Sequence, residues 1–298
     1  MLSIIGIVVV FGAIVAGYLM EKGNLLVLMQ PAELVIIGGA AAGTVLIGNP
    51  PHILSSILRG LPGVVKGSGF TRRRYLDSLK MLYDLFNLAR MGGLGAIEAD
   101  IEEPSNSKVF TAYPAIMKNR HIGRFICDTL RTASASVLEP FDIDQMMELD
   151  MDVHHRDACE LVAALSTMAD SLPGLGIVAA VLGVVITMGA LGGPPEEIGH
   201  KVAAALVGTF LGVLLCYGLV GPVAANMAKL ADEEHCYFGV LRVCMMAFLK
   251  GVPPIMAVEV GRRAVPGHVR PTYQDVQKLC RNKGQASGGA SPTAGAAA

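Results

Sequence analysis

The sequence predicts an all-α membrane protein with four transmembrane helices, a large helical cytoplasmic domain between spans two and three, and a cytoplasmic C-terminal helix. The mean hydropathy is +0.52 and only 16% of the 298 residues are charged, too few to cover the surface of a soluble protein. Four separate apolar stretches also approach the roughly 20 residues that a helix needs to cross a bilayer. The net charge of −1 disfavours a nucleic-acid partner, because no basic excess is present to neutralise phosphates.

The four predicted spans differ little in character, since all are almost free of charge. The only ionisable carboxyl group among them is Glu33, at the edge of the second span. The predicted spans are Leu2–Met20, Ala32–Gly48, Pro173–Leu191 and Val202–Pro222.

The distribution of Lys and Arg predicts the orientation of these spans. Segment 51–172 holds thirteen basic residues and segment 223–298 holds nine, so 22 of the 24 lie on one side of the membrane. Basic residues concentrate on the cytoplasmic side, which places both of these segments and both termini there. The short loops 21–31 and 192–201 then face outward.

The same counting divides the chain into successive regions. In the large cytoplasmic segment, Arg74–Arg90 places Leu79, Leu82, Phe86 and Ala89 on one helical face. Two further long helices are expected at Phe141–Met168 and Asn226–Lys250. The predicted regions are 1–50 for spans one and two, 51–172 for the cytoplasmic domain, 173–225 for spans three and four, 226–283 for a C-terminal helical region, and 284–298 for a disordered low-complexity tail.

Small residues are unusually frequent in spans two to four. Gly39–Gly43 and Gly208–Gly212 both have the GxxxG spacing that lets two helix backbones approach closely. The spacing is compatible with packing inside one chain and with packing between subunits around a central space, and both interpretations stay open.

The spans lack a carboxylate at mid-membrane depth, which ion transport generally requires. Either the protein moves no ions, or a partner helix supplies the carboxylate. Thr187 and Thr209 are among the few polar side chains in the spans, and a buried Thr most often bonds the carbonyl four residues earlier. The six cysteines have no CxxC spacing and are expected to be free thiols.

Two prolines stand at the cytoplasmic ends of spans three and four. Pro173 is expected at the first position of a helix, with Asp170 and Ser171 as candidate caps. Pro222 lies inside a helix that is expected to continue, where it produces either a static kink or a hinge.

An enzyme is not expected, and no catalytic residue, metal or organic cofactor is assigned. The chain contains no HExxH, GxSxG or P-loop motif and no carboxylate pair inside the spans. His154, His155 and Cys159 have helical spacing that could ligate a metal, but their charged neighbours favour an ordinary solvated helix. A passive scaffold would leave the small-residue third and fourth spans less well explained.

Several segments give the chain a resemblance to the MotA family of flagellar motor stator proteins, over roughly residues 1–281. They are GYLMEKGNLLVLMQPAELVIIGGAAAG (17–43), SLPGLGIVAAVLGVV (171–185), VGTFLGVLLCYGLVGPVA (207–224) and PPIMAVEVGRR (253–263) with RPTYQDV (270–276) following. The core of the third and fourth spans is shared more loosely with ExbB and TolQ, proton-driven energisers of outer-membrane systems. Those proteins have three spans, so the extra N-terminal pair of spans favours a stator.

The resemblance implies a multi-pass protein of the bacterial inner membrane that forms a ring of five copies around a dimer of the single-span partner MotB. MotB would supply the intramembrane Asp and a peptidoglycan anchor. Ion flow would then turn the ring, and its cytoplasmic domain would push the rotor switch protein FliG.

The resemblance also assigns roles to individual residues. The charged rotor contacts correspond to Arg90 and Glu98, and the two functional prolines to Pro173 and Pro222. Ala180 stands where sodium-driven members carry Thr, and the fourth span has Gly208-Thr209 in place of two threonines. Ala180 and Thr209 are therefore expected to line the ion path, with the proton as the coupling ion.

Overall fold

The computed structural model describes residues 2–135, 138–189 and 192–281. Within these ranges the regular structure is helical, with no strand. A 3-10 turn at Leu94–Ile97 and a π-turn at Cys216–Val220 interrupt the α-helices. The α-helices are α1 (Leu2–Met20), α2 (Leu25–Leu28), α3 (Pro31–Gly48), α4 (Pro51–Lys66), α5 (Arg72–Gly92), α6 (Glu98–Glu102), α7 (Lys108–Thr111), α8 (Pro114–Met117), α9 (Arg120–Ala135), α10 (Pro140–Met188), α11 (Pro195–Leu215), α12 (Gly221–Leu249), α13 (Pro254–Ala264) and α14 (Tyr273–Arg281).

Four helical segments of the described chain are long and apolar enough to cross a membrane, as predicted. They are Ser3–Met20, Leu25–Gly48, Pro140–Met188 and Pro195–Leu249. The last two have 49 and 55 residues, far more than the roughly 20 that a bilayer needs, so each also includes a long helical stretch outside it.

The chain folds into two compact units. The first, here called the membrane unit, comprises Met1–Gly69 and His154–Glu233. The second unit comprises Phe70–Val153 and the chain from Glu234 onward.

The core of the second unit is built around one face of α5. Leu79, Leu82, Phe86 and Ala89 are each at most 4% exposed, which confirms the predicted face. Phe86 stacks on Phe248 with ring centroids 4.2 Å apart. Burying each of the large side chains contributes about 1.5–3 kcal/mol, so this face contributes several kcal/mol to the stability of the unit.

Ion pairs fasten the edges of the second unit. Arg242 on α12 donates to Asp144 on α10 at 2.6 Å and to Glu148 at 3.2 Å. On α13, Glu259 accepts from Arg262 at 2.7 Å and from Arg263 at 2.9 Å. The two guanidinium groups, Arg262 above all, lower the pKa of Glu259 to about 2 although burial opposes that shift.

Pro173 does not begin a helix, so that prediction is wrong. It lies inside the continuous 49-residue α10, and the Ser171 hydroxyl donates to the Met168 carbonyl at 2.7 Å instead of capping a new helix. A proline inside a helix costs about 3 kcal/mol. Here Leu172 and Ala179, at 2% and 0% exposure, pack with α3 and Cys216, and this burial keeps the helix continuous.

Pro222 lies in the first turn of α12, directly after the π-turn at Cys216–Val220. The helical stretch runs through this turn from Pro195 to Leu249, as predicted for a helix that continues past Pro222. A π-turn inserts one extra residue into the helix, and both π-turns and prolines are places where a helix kinks.

Candidate ion path in the membrane unit

Helices α10 and α11 pack together through glycines. A Cβ atom placed on Gly212 would lie 2.6 Å from the Leu172 carbonyl oxygen and 2.8 Å from the Gly176 Cα. One placed on Gly176 would lie 2.9 Å from the Gly208 carbonyl oxygen. No side chain fits at such distances. Gly208 and Gly212 therefore allow α10 and α11 of the same chain to pack closely.

Gly39 and Gly43 behave differently, although they have the same spacing. A Cβ on either would meet no atom within 4 Å, so nothing in the described part of the chain explains these glycines. This face of α3 is open in the single chain.

Glu33 is the most unusual side chain of the membrane unit. It stands in the first turn of α3, two residues after the Pro31 that begins the helix, and is only 7% exposed. A Cβ on Gly208 would lie 2.6 Å from Glu33 Oε2, so the carboxyl group lies directly on the α11 backbone. Glu33 Oε2 has no hydrogen-bond partner among the described residues.

The two threonines of the spans differ in their hydrogen bonding. Thr187 is 5% exposed and donates to the Gly183 carbonyl at 2.8 Å, the backbone bond expected of a buried Thr. Thr209 is half-buried, and its neighbour Gly208 is the residue that contacts Glu33. Thr187 is therefore explained by a bond within its own helix, and the assignment of Thr209 to the ion path stays a prediction.

The backbone at one predicted path residue, Ala180, lies close to an acid that was not assigned to the path. A Cβ on Gly208 would lie 3.2 Å from both the Ala180 backbone nitrogen and the Ala179 Cβ, so Gly208 brings the Ala180 backbone and the Glu33 carboxyl group together, and Thr209 is the next residue along α11. The sequence predicts Glu33 only at the edge of a span and predicts no acid deeper in the spans. Which residue meets α11 depends on the tertiary packing of α3, and the sole signal in the sequence was an acid within an apolar stretch.

The two prolines lie in different surroundings within the membrane unit. Pro222 borders a cavity of about 310 Å³ between α1 and the fourth span, together with Val10, Gly218 and Asn226. Pro173 does not line this cavity. A second cavity, of about 260 Å³, lies between α3 and α10 and includes Thr44 and Glu160.

Arg90 and Glu98 belong to the second unit and lie close in sequence around a glycine turn. Arg90 is in the last turn of α5 and Glu98 begins α6, with Gly93 between them at a φ of +77°. Both side chains are exposed, and neither forms an ion pair with another described residue. They are free to contact a partner.

The histidines of α10 do not form a metal centre with Cys159 in the described structure. Cys159 Sγ lies 3.5 Å from His155 Nε2, and Asp232 Oδ1 lies 3.8 Å from the same nitrogen. No group of three or more potential ligands that could hold a metal ion occurs among the described residues.

Comparison with known sequences places the chain among motility proteins. The model of the motility protein A N-terminal region matches residues 4–93, and that of the MotA/TolQ/ExbB proton channel family matches residues 117–236. Motility protein A of Escherichia coli (strain K12) is 37% identical over 281 residues, covering 94% of this chain and 95% of its own. Chemotaxis protein LafT of Vibrio parahaemolyticus is 32% identical over 278 residues, with 93% and 98% covered.

Solved structures share the fold. The C. jejuni MotAB structure superposes with a TM-score of 0.74 at 19% identity, covering 89% of this chain and 95% of that one. The flagellar MotAB stator complex of Bacillus subtilis gives a TM-score of 0.71 at 22% identity, covering 93% and 98%. With four apolar helices, two family models and full-length relatives in agreement, this chain belongs to the motility protein A family, within the MotA/TolQ/ExbB proton channel family.

Proposed function

We propose that this chain is the stator subunit of a bacterial flagellar motor, which forms a proton channel with MotB and converts proton flow into torque on the rotor. The observation that carries the proposal is the meeting of Gly208, the Ala180 backbone and Glu33, where two spans pack through glycine and alanine next to a buried carboxyl group. The printed names of the relatives, motility and chemotaxis proteins and MotAB complexes, support the same function.

The partner supplies what the spans lack. No carboxylate stands at mid-membrane depth in spans three and four, so MotB contributes the central Asp from its single span. Several copies of this chain, five by family resemblance, surround a MotB dimer. The open face at Gly39 and Gly43 supports such a ring, because small residues allow close contact between subunits.

The coupling ion is the proton. Ala180 offers no side-chain oxygen to replace the hydration shell of sodium, and Thr209 alone offers one hydroxyl. A proton needs no such cage of oxygens. One elementary charge crossing 100 mV yields about 2.3 kcal/mol, enough to shift a ring between states of nearly equal energy.

Torque passes to the rotor from the cytoplasmic side of the inner membrane, where both termini lie. The exposed and unpaired Arg90 and Glu98 contact FliG. Single exposed ion pairs contribute only about 0–1 kcal/mol, which suits a contact that forms and breaks at every step.

Deleting the gene and complementing it tests the function. The deletion strain is expected to assemble flagella that do not rotate, and the intact gene restores swimming. Restored swimming should stop with a proton uncoupler and continue without sodium. Swimming that persists in the deletion strain contradicts the stator function unless a second stator set is present, which deletion of that set resolves. Swimming that stops without sodium and survives the uncoupler contradicts proton coupling alone.

A further inference from the structure

We propose that Glu33 is a proton-binding group of the ion path, supplied by this chain itself, through which protons pass between the outer aqueous phase and the partner's carboxylate. This inference rests on the proposed function and deepens it, because it names a second acid in the path. The ligand is the proton, and the site consists of the Glu33 carboxyl group with the Gly208-Thr209 backbone and Ala180 around it.

Glu33 is buried by its own chain. The residue is 7% exposed in the single chain, so no partner is needed to remove it from solvent. The carboxyl group lies against the neighbouring helix. Glu33 follows Pro31 in the first turn of α3, and the α11 backbone at Gly208 lies against Oε2.

Gly208 lies against the Glu33 carboxyl group. A Cβ there would lie 2.6 Å from Glu33 Oε2, so any other residue would displace the carboxyl group. The same Cβ would lie 3.2 Å from the Ala180 nitrogen. Gly208 thus keeps space for the acid beside the expected path residues, as well as letting α10 and α11 approach.

The depth of Glu33 fits an outer relay. In the proposed topology, α3 and α11 both begin on the outer side, and Glu33 is in the first turn of α3. Gly208 is six residues beyond Val202, where span four is predicted to enter the membrane, which is about 9 Å at 1.5 Å per residue. Glu33 therefore lies below the outer surface of the membrane and closer to that surface than Thr209.

The charged groups on the neighbouring helices leave Glu33 Oε2 without a partner. On α11, Lys201 pairs with Glu197 at 2.8 Å, and His200 is exposed. Asp170 is the acid of α10 near Cys216, and Glu21 and Lys22 lie in the loop before α2. None of these groups bonds to Glu33 within the described residues.

The lack of a hydrogen-bond partner for Glu33 Oε2 among the described residues favours binding of a proton by this carboxyl group. An ionised carboxylate buried without a partner is costly, and taking up a proton removes the charge. Acids in membrane spans mark ion paths and proton relays in pumps and transporters. In the proposed step an O–H bond of a hydronium ion from the outer phase breaks as the Glu33 carboxylate takes its proton, which leaves a water molecule. The new O–H bond on Glu33 then breaks as the proton passes to the partner's carboxylate, so Glu33 returns to its starting state.

The test is proton flux into proteoliposomes that contain this chain with MotB, followed by a pH-sensitive dye under an imposed potential. Glu33→Gln keeps the shape of the side chain and cannot titrate, so flux should fall at least about tenfold. Glu33→Asp keeps the acid and should retain measurable flux. Glu21→Gln, which removes an exposed acid of the preceding loop, should conduct like the wild type.

The outcomes separate the two proposals. Wild-type complexes without proton flux contradict the proposed function itself. Conducting wild type together with an equally conducting Glu33→Gln complex overturns only the relay. If Glu33→Gln does not assemble, infrared difference spectra of the wild type and Glu33→Asp decide. A titrating carboxyl band that changes with the Asp replacement supports the relay, and identical titrating bands in both complexes overturn it.

Discussion

Glu33 Oε2 lies against the backbone of Gly208, at a point where a single added carbon on Gly208 would come within 2.6 Å of it. The contact joins the beginning of α3 to the middle of α11. The contact explains both the burial of Glu33 and the glycine at position 208, because the carboxyl group needs space and Gly208, which has no side chain, provides it. The close packing of α10 against α11 continues from Gly208 through Gly176 and Gly212, and these three glycines form a seam between the two helices.

The seam itself gives the first prediction. Gly212→Ala should destabilise the protein by about 1–3 kcal/mol, because its Cβ would meet the backbone at Leu172 and Gly176, which cannot rotate away. Thermal unfolding of the protein in detergent measures the change.

Gly39→Ala is the matched control, because its Cβ meets no atom within 4 Å in the single chain. It should leave the stability of the chain unchanged or slightly higher, since Ala is the better helix former. It should weaken assembly of the proposed ring, measured by size-exclusion chromatography. Equal melting temperatures for Gly212→Ala and the wild type would contradict the packing described here.

A second prediction concerns acid stability of the second unit. The folded-state pKa of Glu259 is about 2, below its ordinary value of 4.5, because Arg262 and Arg263 bind the carboxylate. A lowered pKa stabilises the fold above the ordinary value, and this contribution disappears as pH falls from about 4.5 toward 2. The ionised Glu259 contributes on the order of 2 kcal/mol to the free energy of unfolding at neutral pH.

Glu259→Gln tests this directly. The variant should be less stable than the wild type at pH 7, and the difference should shrink as the pH falls toward 2. Unfolding midpoints at a series of pH values measure both effects. A difference between the two proteins that is constant over this range would mean that the guanidinium groups do not hold the carboxylate.

The third prediction concerns the ion pair between Arg242 and Asp144. The nitrogen and oxygen lie 2.6 Å apart, and the side chains are 20% and 29% exposed. A double-mutant cycle with Arg242→Ala and Asp144→Ala should give a coupling free energy of about 1 kcal/mol. Arg131→Ala with Asp128→Ala, a pair at 51% and 63% exposure, should give much less. Equal coupling in both pairs would contradict the role of burial.

The fourth prediction separates the role of Pro222 in movement from any role in folding. Pro222→Ala should leave stability unchanged or increase it, because a proline inside a helical stretch costs about 3 kcal/mol. If the π-turn and Pro222 form a hinge, the same variant should abolish swimming while the complex still assembles. Cell tracking and co-purification with the partner measure these two effects.

Pro195→Ala provides the comparison, since Pro195 stands at the first position of α11, where the missing N–H has no helical partner to lose. Cells with that variant should swim normally. Normal swimming with Pro222→Ala would make the proline a static kink.

The sequence predicted those features that depend on local pattern. Hydropathy located the four spans, and the helical period identified the buried face of α5, because both are properties of neighbouring residues. The expectation for Pro173 failed, because local proline preference was outweighed by the burial of Leu172 and Ala179. The position of Glu33 could not be predicted, because it depends on which helices meet.

The candidate path was predictable in part for the same reason. Family resemblance pointed to Ala180 and Thr209, which stay predictions, and the structure adds that Gly208 lies between the Glu33 carboxyl group and the Ala180 backbone. The sequence alone could not assign either GxxxG spacing to packing within one chain or to packing between subunits. Only the packed helices show that Gly208 and Gly212 are used within the chain, whereas Gly39 and Gly43 are open.

This chain is proposed to form the wall of a proton path that MotB completes. The decisive measurement is proton flux into proteoliposomes with this chain alone, with MotB alone, and with both together. Flux is expected only when both proteins are present, because the spans of this chain have no carboxylate at mid-membrane depth. Flux through this chain alone, or no flux through the pair under an imposed potential, would contradict it.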